Sequence, residues 1–143
     1  MVKLSGEVSA SDDVIGSGVF DDLAVLASTI PGLVQLEWQS EEAFRGRMKI
    51  KIPVGMMTSR ITGEVTRDAS SIAIRLKGNA VNVAGGFDAN VTLTAGPGQF
   101  VYELTVQFSG WLASLGEGLL TPIMAAKARE FEKNLTELIA TLS

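Results

Sequence analysis

Residues 43–54, which read AFRGRMKIKIPV, decide the fold because their side chains alternate between apolar and basic. The even positions are Phe44, Gly46, Met48, Ile50 and Ile52, and the odd positions are Arg45, Arg47, Lys49 and Lys51. Successive side chains of a β-strand point to opposite faces, so the pattern predicts a strand that is apolar on one face and basic on the other. A sheet built from such strands has one solvated face and one face that another element must cover.

The same alternation extends in both directions from this stretch. It predicts seven strands, near residues 2–9, 33–41, 43–54, 57–67, 71–80, 86–95 and 99–109. Short segments rich in glycine, proline and acidic residues separate the last six, which indicates an antiparallel meander. The face to be covered would carry Val34, Leu36, Trp38, Phe44, Met48, Ile50, Ile52, Met57, Ile61, Val65, Ile72, Ile74, Leu76, Phe87, Val91, Leu93, Phe100, Tyr102, Leu104, Val106 and Phe108.

One long helix is predicted at the C-terminus, over residues 122–142, with a preceding helical turn or two over residues 112–120 and a kink between them. Its apolar residues recur at spacings of four and three, as in one buried stripe: Met124, Ala128, Phe131, Leu135, Leu138 and Leu142. Such a helix is about 30 Å long, like a ten-residue strand, so it can cover the whole sheet. Two short helices are predicted between the first two strands, one starting at Ser11 and one over 21–29 that stops at Ile30-Pro31-Gly32.

Composition limits the chemistry open to the chain. Its 143 residues predict a single domain, 1–143, and contain neither cysteine nor histidine. Disulfides, thiolate chemistry and histidine-dependent triads are therefore excluded, and we expect no metal or cofactor. A net charge of −4 makes nucleic acid an unexpected partner. No apolar run approaches the roughly 20 residues of a transmembrane helix. The opening residues MVKLSGEVSA lack the apolar core of a signal peptide, so we expect a cytoplasmic protein.

Four short motifs carry a resemblance to a known family: residues 30–32 (IPG), 48–52 (MKIKI), 61–65 (ITGEV) and 110–116 (GWLASLG). With the order of elements, they make the chain similar to the carbon monoxide dehydrogenase G-subunit family of the START-like (SRPBCC) superfamily. The resemblance implies an α+β helix-grip fold, in which a seven-stranded antiparallel sheet wraps around the C-terminal helix. It also implies an accessory protein of molybdenum hydroxylases whose cavity holds an apolar molecule such as a quinone or lipid. Peripheral contact with the inner face of the membrane is compatible with that role.

The covered face has two interpretations, a filled core or the wall of a pocket. Methionines are flexible enough for an adaptable wall, and Trp38 and Tyr102 each bring a polar atom that needs a partner when buried. A mostly apolar lining with a few polar groups is typical of small-molecule sites. With the resemblance, this composition predicts a ligand site formed by Trp38, Met48, Ile50, Met57, Ile61, Ile74, Leu76, Phe87, Val91, Tyr102, Leu104, Met124, Ala128 and Phe131.

The basic row of Arg45, Arg47, Lys49 and Lys51 faces away from that predicted site. In one interpretation it is a solvated face, balanced by Glu37 and Glu41 on the adjacent strand. In the other it is a docking strip for an acidic partner protein or for anionic lipid headgroups.

Three functions follow from these observations. The first is a non-catalytic carrier or accessory protein with an apolar ligand. The second is an interaction module that has a filled core and docks through the basic strand. The third is a helix-grip enzyme, for which the inward row offers Tyr102, with Glu130 or Lys127 beside the helix stripe. Because so few ionisable groups face inward, we expect no catalytic residues. The ligand, the partner enzyme and the oligomeric state stay open.

Overall fold

The computed structural model describes residues 1–11, 27–52, 55–68, 70–81 and 84–142. These residues form one seven-stranded sheet, ordered β1-β7-β6-β5-β4-β3-β2, in which every neighbouring pair is antiparallel. The predicted meander is therefore confirmed, with β1 added beside the last strand. The strands are β1 Val2–Ser9, β2 Leu33–Trp38, β3 Ala43–Ile52, β4 Gly55–Arg67, β5 Ser71–Ala80, β6 Gly86–Gly96 and β7 Gln99–Ser109.

The second strand is shorter than predicted. It ends at Trp38 because the backbone turns immediately afterwards: the N–H groups of Gln39 and Ser40 both donate to the carbonyl oxygen of Ala43, at 2.8 and 3.2 Å. The Ser40 hydroxyl then accepts a hydrogen bond from the backbone N–H of Glu42 at 3.3 Å. Residues 39–42 therefore form the connection to β3 and are not part of the ladder.

A β-bulge interrupts β2 in its middle. Val34 lies opposite Arg47 and Glu37 lies opposite Arg45, so β2 uses one residue more than β3 over the same length. Gln35 has φ 52°, in the left-handed region that non-glycine residues rarely adopt. An extra residue of this kind reverses which side chains of a strand face inward.

The bulge explains why the predicted inward position of Val34 is wrong. Val34 is 38% exposed, and its neighbour Leu33, opposite Met48, packs against the core instead. On β3, Gly46 leaves room for the distorted backbone, because a Cβ there would lie 2.8 Å from the carbonyl oxygen of Gln35. Every other residue predicted for the covered face is buried or half-buried.

The long helix begins earlier than predicted, and a short helix precedes it. A short helix α1, Trp111–Ser114, precedes α2, Glu117–Leu142, and Gly116 between them has φ 82°. The expected start at residues 121–122 is therefore wrong, and Pro122 lies inside α2. Its missing N–H leaves one intrahelical hydrogen bond unmade near the start of the helix. The two short helices predicted between β1 and β2 fall mainly on residues 12–26, which lie outside the described residues.

The long helix covers the inner face of the sheet. Its buried side chains are Leu120, Met124, Ala128, Phe131, Leu135 and Ile139. Leu138, which was predicted for the buried stripe, is only half-buried. The stripe continues instead from Leu135 to Ile139, a spacing of four residues. Beside Ile30, the Asn134 side-chain amide donates to the carbonyl oxygen of Thr29 at 3.1 Å and ties α2 to the segment before β2.

Candidate ligand-binding site

Glycines opposite aromatic residues shape the inner face of the sheet. Gly63 pairs with Phe44 across β3 and β4, and Gly78 pairs with Phe87 across β5 and β6. A Cβ at Gly63 would lie 2.2 Å from the Phe44 ring and a Cβ at Gly78 would lie 2.3 Å from the Phe87 ring, so each ring occupies space that a side chain would need. The rings thus fill the space above these two glycines.

A cavity lies between this inner face and α2. Its volume is about 90 Å³, and its wall among the described residues is apolar. Six of the nine described elements contribute, together with the segment before β2. The lining residues are Ile30, Pro31, Met48, Ile50, Met57, Leu76, Phe87, Ala89, Val91, Tyr102, Leu104, Val106, Phe108, Met124, Lys127, Ala128 and Phe131.

The structure brings most of the predicted ligand-site residues to this one cavity. All of them line it except Trp38, Ile61 and Ile74. Ile61 and Ile74 are 2% and 6% exposed and belong to the packed core farther along the sheet. The ring of Trp38 packs against Phe44 with centroids 5.0 Å apart, and its Nε1 is buried without a hydrogen-bond partner in the described part of the chain.

Several lining residues were missed by sequence reasoning. Val106 and Phe108 were predicted for the covered face but not for the ligand site, and Ala89 continues the same inward alternation on β6. Ile30 and Pro31 lie in the turn before β2, where periodicity carries no information about direction. Lys127 lies on the α2 face one residue before Ala128, and its half-exposed ammonium group bonds Glu130 at 3.1 Å.

The cavity is small for a ligand site. Typical small-molecule pockets have volumes of about 300 Å³ or more, so this space as it stands fits only a small apolar group. A larger molecule requires movement of the walls. Three of the lining residues are methionines, Met48, Met57 and Met124, and their unbranched side chains can change conformation at low cost.

Tyr102 is the one tyrosine of the chain, and its hydroxyl is engaged outside the cavity. It donates a hydrogen bond to Glu132 of α2, while its ring packs edge-on against Phe131 with centroids 5.5 Å apart. Gly6, opposite Tyr102 on β1, makes room for the pair, because a Cβ there would lie 2.3 Å from the Glu132 carboxylate. Burial first, and then the hydrogen bond and charge of Glu132, raise the pKa of Tyr102 well above its ordinary range.

The outer face of the sheet carries the predicted basic row. Arg45, Arg47, Lys49 and Lys51 are all exposed, on the side of β3 opposite the cavity. Arg45 bonds Glu37 on β2 at 3.3 and 3.4 Å. Arg47 lies between Val34 and Arg60 in the ladder, so no acidic residue stands directly opposite it.

More cations continue this row across the next two strands. Lys49 and Lys51 lie opposite Thr58 and Met56, which are uncharged. Arg60, Arg75 and Lys77 project on the same outer face of β4 and β5. Sequence reasoning named only the β3 cations, because the neighbours on β4 and β5 become apparent once the register is known.

Two further properties concern metals and membranes. Among the described residues, no group of three or more acidic side chains could hold a metal ion. In the same part of the chain, no helix is both long enough and apolar enough to cross a membrane.

The sheet, the long helix and the cavity between them define a START-like fold. Solved structures with this fold include a conserved protein from Geobacillus kaustophilus, 20% identical with a TM-score of 0.78, covering 97% of this chain and 94% of its own. A START superfamily protein from Mycobacterium smegmatis is 15% identical with a TM-score of 0.65, and the match covers 99% of this chain and 98% of that protein. The Zhui aromatase/cyclase from Streptomyces sp. R1128 is 14% identical with a TM-score of 0.60, and the match covers 97% of this chain and 92% of that protein.

Within that fold, the chain belongs to the CoxG family, that of the carbon monoxide dehydrogenase G-subunit, whose model matches residues 5–140. The predicted family is therefore confirmed. A comparison with curated proteins finds no match.

Proposed function

We propose that this protein is a non-catalytic carrier that binds a hydrophobic, quinone- or lipid-like molecule between its sheet and α2. The observation that carries the proposal is the cavity of about 90 Å³ with an apolar wall. Its location between a sheet and a helix is typical of binding sites at the junction of structural layers. Family membership supports the same role.

The groups around the cavity favour binding over reaction. General acid–base catalysis needs a titratable group whose pKa lies near the working pH and which reaches the substrate. The raised pKa of Tyr102 keeps its hydroxyl protonated, and that hydroxyl already bonds Glu132. Lys127 is paired with Glu130 at the edge of the cavity. An enzyme would have to work with these engaged groups.

The proposed partner is a molybdenum hydroxylase of the carbon monoxide dehydrogenase type. Support comes from the family description, which names a subunit of carbon monoxide dehydrogenase. In this proposal the protein works in the cytoplasm, peripherally at the inner face of the membrane, where apolar molecules are available. In this proposal, contact with the hydroxylase transfers the bound molecule between the two proteins.

The first test is recovery of the native ligand. The protein would be purified from its own host without detergent, extracted with organic solvent and analysed by mass spectrometry, beside a titration with a short-chain quinone. A bound apolar molecule and saturable quinone binding are expected. Empty protein together with no saturable binding of quinone or fatty acid would contradict the carrier function.

A second test fills the cavity from the helix. Ala128 lines the cavity and is 5% exposed, whereas Ala126 lies on the solvent side of the same helix. Ala128→Leu should weaken quinone binding by about tenfold or more, which corresponds to about 1.4 kcal/mol, since leucine occupies the ligand space. The matched control Ala126→Leu should bind as the wild type does. Equal affinity of both variants would place the ligand elsewhere.

A docking role for the outer face is a second candidate function, and one observation favours it. Arg47 and Arg60 stand directly opposite each other in the β3–β4 ladder. Like charges at opposing positions destabilise a sheet, so the arrangement has a cost that an acidic partner would offset. In this proposal Arg45, Arg47, Lys49 and Lys51 dock the carrier on an acidic surface of the hydroxylase.

A further inference from the structure

One polar group on the inner face of the sheet has no evident structural role. Ser59, in the middle of β4, is 0% exposed, and its hydroxyl has no hydrogen-bond partner in the described ranges of the chain. Buried hydroxyl groups are nearly always hydrogen-bonded, because losing water without gaining a partner is unfavourable. Alanine would satisfy the same need for a small side chain without that penalty.

Ser59 lies next to the cavity wall. Its cross-strand partner on β3 is Met48, and Met57 precedes it by two residues on the same face of β4. On the other side its cross-strand partner is Ala80 of β5, and the ring of Phe87 covers Gly78, two residues away on that strand. Met48, Met57 and Phe87 all line the cavity. Ser59 itself does not line the cavity, but two of its neighbours on the inner face, Met48 and Met57, do.

We propose that the Ser59 hydroxyl is the polar anchor of the bound molecule and donates a hydrogen bond to an oxygen acceptor on it. This inference rests on the proposed carrier function and narrows its ligand to an apolar molecule that bears a carbonyl group. Rotation of Met48 enlarges the cavity toward β4 and brings the ligand oxygen to Ser59. The same rotation accounts for how a space of about 90 Å³ admits a larger molecule.

The ligand class follows from the wall chemistry. The wall among the described residues is apolar, and the Tyr102 hydroxyl is already bonded to Glu132. A single buried hydroxyl can donate one hydrogen bond, which suits a neutral carbonyl oxygen better than a carboxylate, since a buried charge needs more than one donor. Simple hydrocarbons would leave Ser59 without a partner.

Two probes of similar ring size test the proposal in the full chain. The first, 1,4-naphthoquinone, has carbonyl oxygens, and the second, naphthalene, has none. Wild-type protein and Ser59→Ala would be titrated with both. Ser59→Ala should weaken naphthoquinone binding about 2- to 10-fold, the range expected for one hydrogen bond, and leave naphthalene binding unchanged.

An infrared measurement separates the loss of a hydrogen bond from a change in packing, because it reports on the ligand carbonyl group directly. The carbonyl stretching band of bound naphthoquinone should lie at lower frequency in the wild type than in Ser59→Ala, because a hydrogen bond weakens the C=O bond. Without ligand, Ser59→Ala should melt about 2 to 4 °C higher than the wild type, since it removes a buried hydroxyl that has no hydrogen-bond partner among the described residues.

The outcomes separate this inference from the carrier function. If naphthoquinone binds both proteins equally, or if the carbonyl band does not differ, Ser59 is not the anchor, although the carrier function survives. If Ser59→Ala weakens both probes alike, the effect is one of packing and the inference fails. If neither probe binds the wild type, the carrier function fails together with it.

Discussion

At the scale of single residues, Gly6, Tyr102 and Glu132 form a contact that joins three elements. Gly6 of β1 lies opposite Tyr102 of β7, and the Tyr102 hydroxyl donates to Glu132 of α2. Tyr102 is only 2% exposed, so its hydrogen bond forms in an environment with little water. Sequence reasoning identified Tyr102 as an inward polar group but assigned it to the ligand. Its partner on the helix could not be inferred, since α2 and β7 meet only in the folded chain.

The first prediction concerns the ionisation of Tyr102. Its pKa is raised by burial and by Glu132, so the folded protein should keep the phenol protonated above the ordinary tyrosine pKa of about 10. The unfolded chain loses that proton more readily, so stability is fully present below about pH 10 and falls as pH rises beyond it. Because Tyr102 is the one tyrosine in the sequence, ultraviolet absorbance of tyrosinate measures it directly.

Two variants control this measurement. Glu132→Gln should lower the pKa of Tyr102 only in part, because burial is the larger cause of its rise. Tyr102→Phe removes the titrating hydroxyl, so this variant should lose less stability than the wild type when the pH rises above about 10. Tyrosinate appearing at an ordinary pH in folded protein would show that the contact with Glu132 does not form in solution.

At the scale of the elements, glycine–aromatic pairs determine how closely the strands and their side chains pack. Phe44 lies over Gly63 and is 1% exposed, held on its other side by Trp38. An aromatic ring that covers a cross-strand glycine shields the backbone there from water. The pairs occur on β1–β7, β3–β4 and β5–β6, so they are a recurring feature of the inner face.

The second prediction follows from this packing. Gly63→Ala should destabilise the protein by about 1–3 kcal/mol, because the new methyl group collides with a ring that has no free space. Gly96→Ala is the matched control, since Gly96 is also in a strand and a Cβ there meets nothing closer than 3.9 Å. Urea unfolding measures both. Equal stabilities would mean that the Phe44 ring can move aside, and the pairs would lose their proposed structural role.

Most strands could be predicted from alternation, because a one-sided sheet requires it at nearly every position. The prediction for Val34 failed because one extra residue in β2 reversed the pattern, and nothing in the local sequence marks Gln35 as the site of a left-handed backbone. The start of α2 was misplaced because Pro122 resembles a first-turn proline. The cavity could not be predicted in size, since it is the small difference between side-chain volumes and the space that the fold leaves.

At the scale of the whole molecule, charge is distributed unevenly over the outer face. Cations dominate β3, β4 and β5, although the chain has a net charge of −4. On the other half of the sheet, Glu103 of β7 and Glu7 of β1 face outward. Such an asymmetry orients the approach of a charged partner even where individual ion pairs add little affinity.

The third prediction tests that asymmetry. Replacing Arg47, Lys49 and Lys51 together by glutamine should reduce association with the proposed partner, the host molybdenum hydroxylase, about tenfold or more at low salt and remove most of the salt dependence of that association. Arg45 is left in place because it bonds Glu37. Quartz-crystal or surface-plasmon measurements with the purified hydroxylase provide the readout.

A control of equal charge change uses cations on other surfaces. Lys3, Arg129 and Lys133 are exposed on β1 and α2, away from the basic strand. Their combined replacement by glutamine should leave association near that of the wild type. Similar losses in both triple variants would indicate a response to net charge and contradict docking through β3.

The pairing of β1 with β7 has a consequence for how the protein is made. Val2 pairs with Val106, so β1 leaves the ribosome and finds its partner only after about 100 further residues have been synthesised. Contacts so distant in the chain form late, because closing a long loop costs entropy before any pairing offsets it. Glu132, which completes the contact with Gly6 and Tyr102, is made later still. The wall that β7 and α2 give to the cavity is therefore completed late in folding, after the hairpins that join β3, β4 and β5.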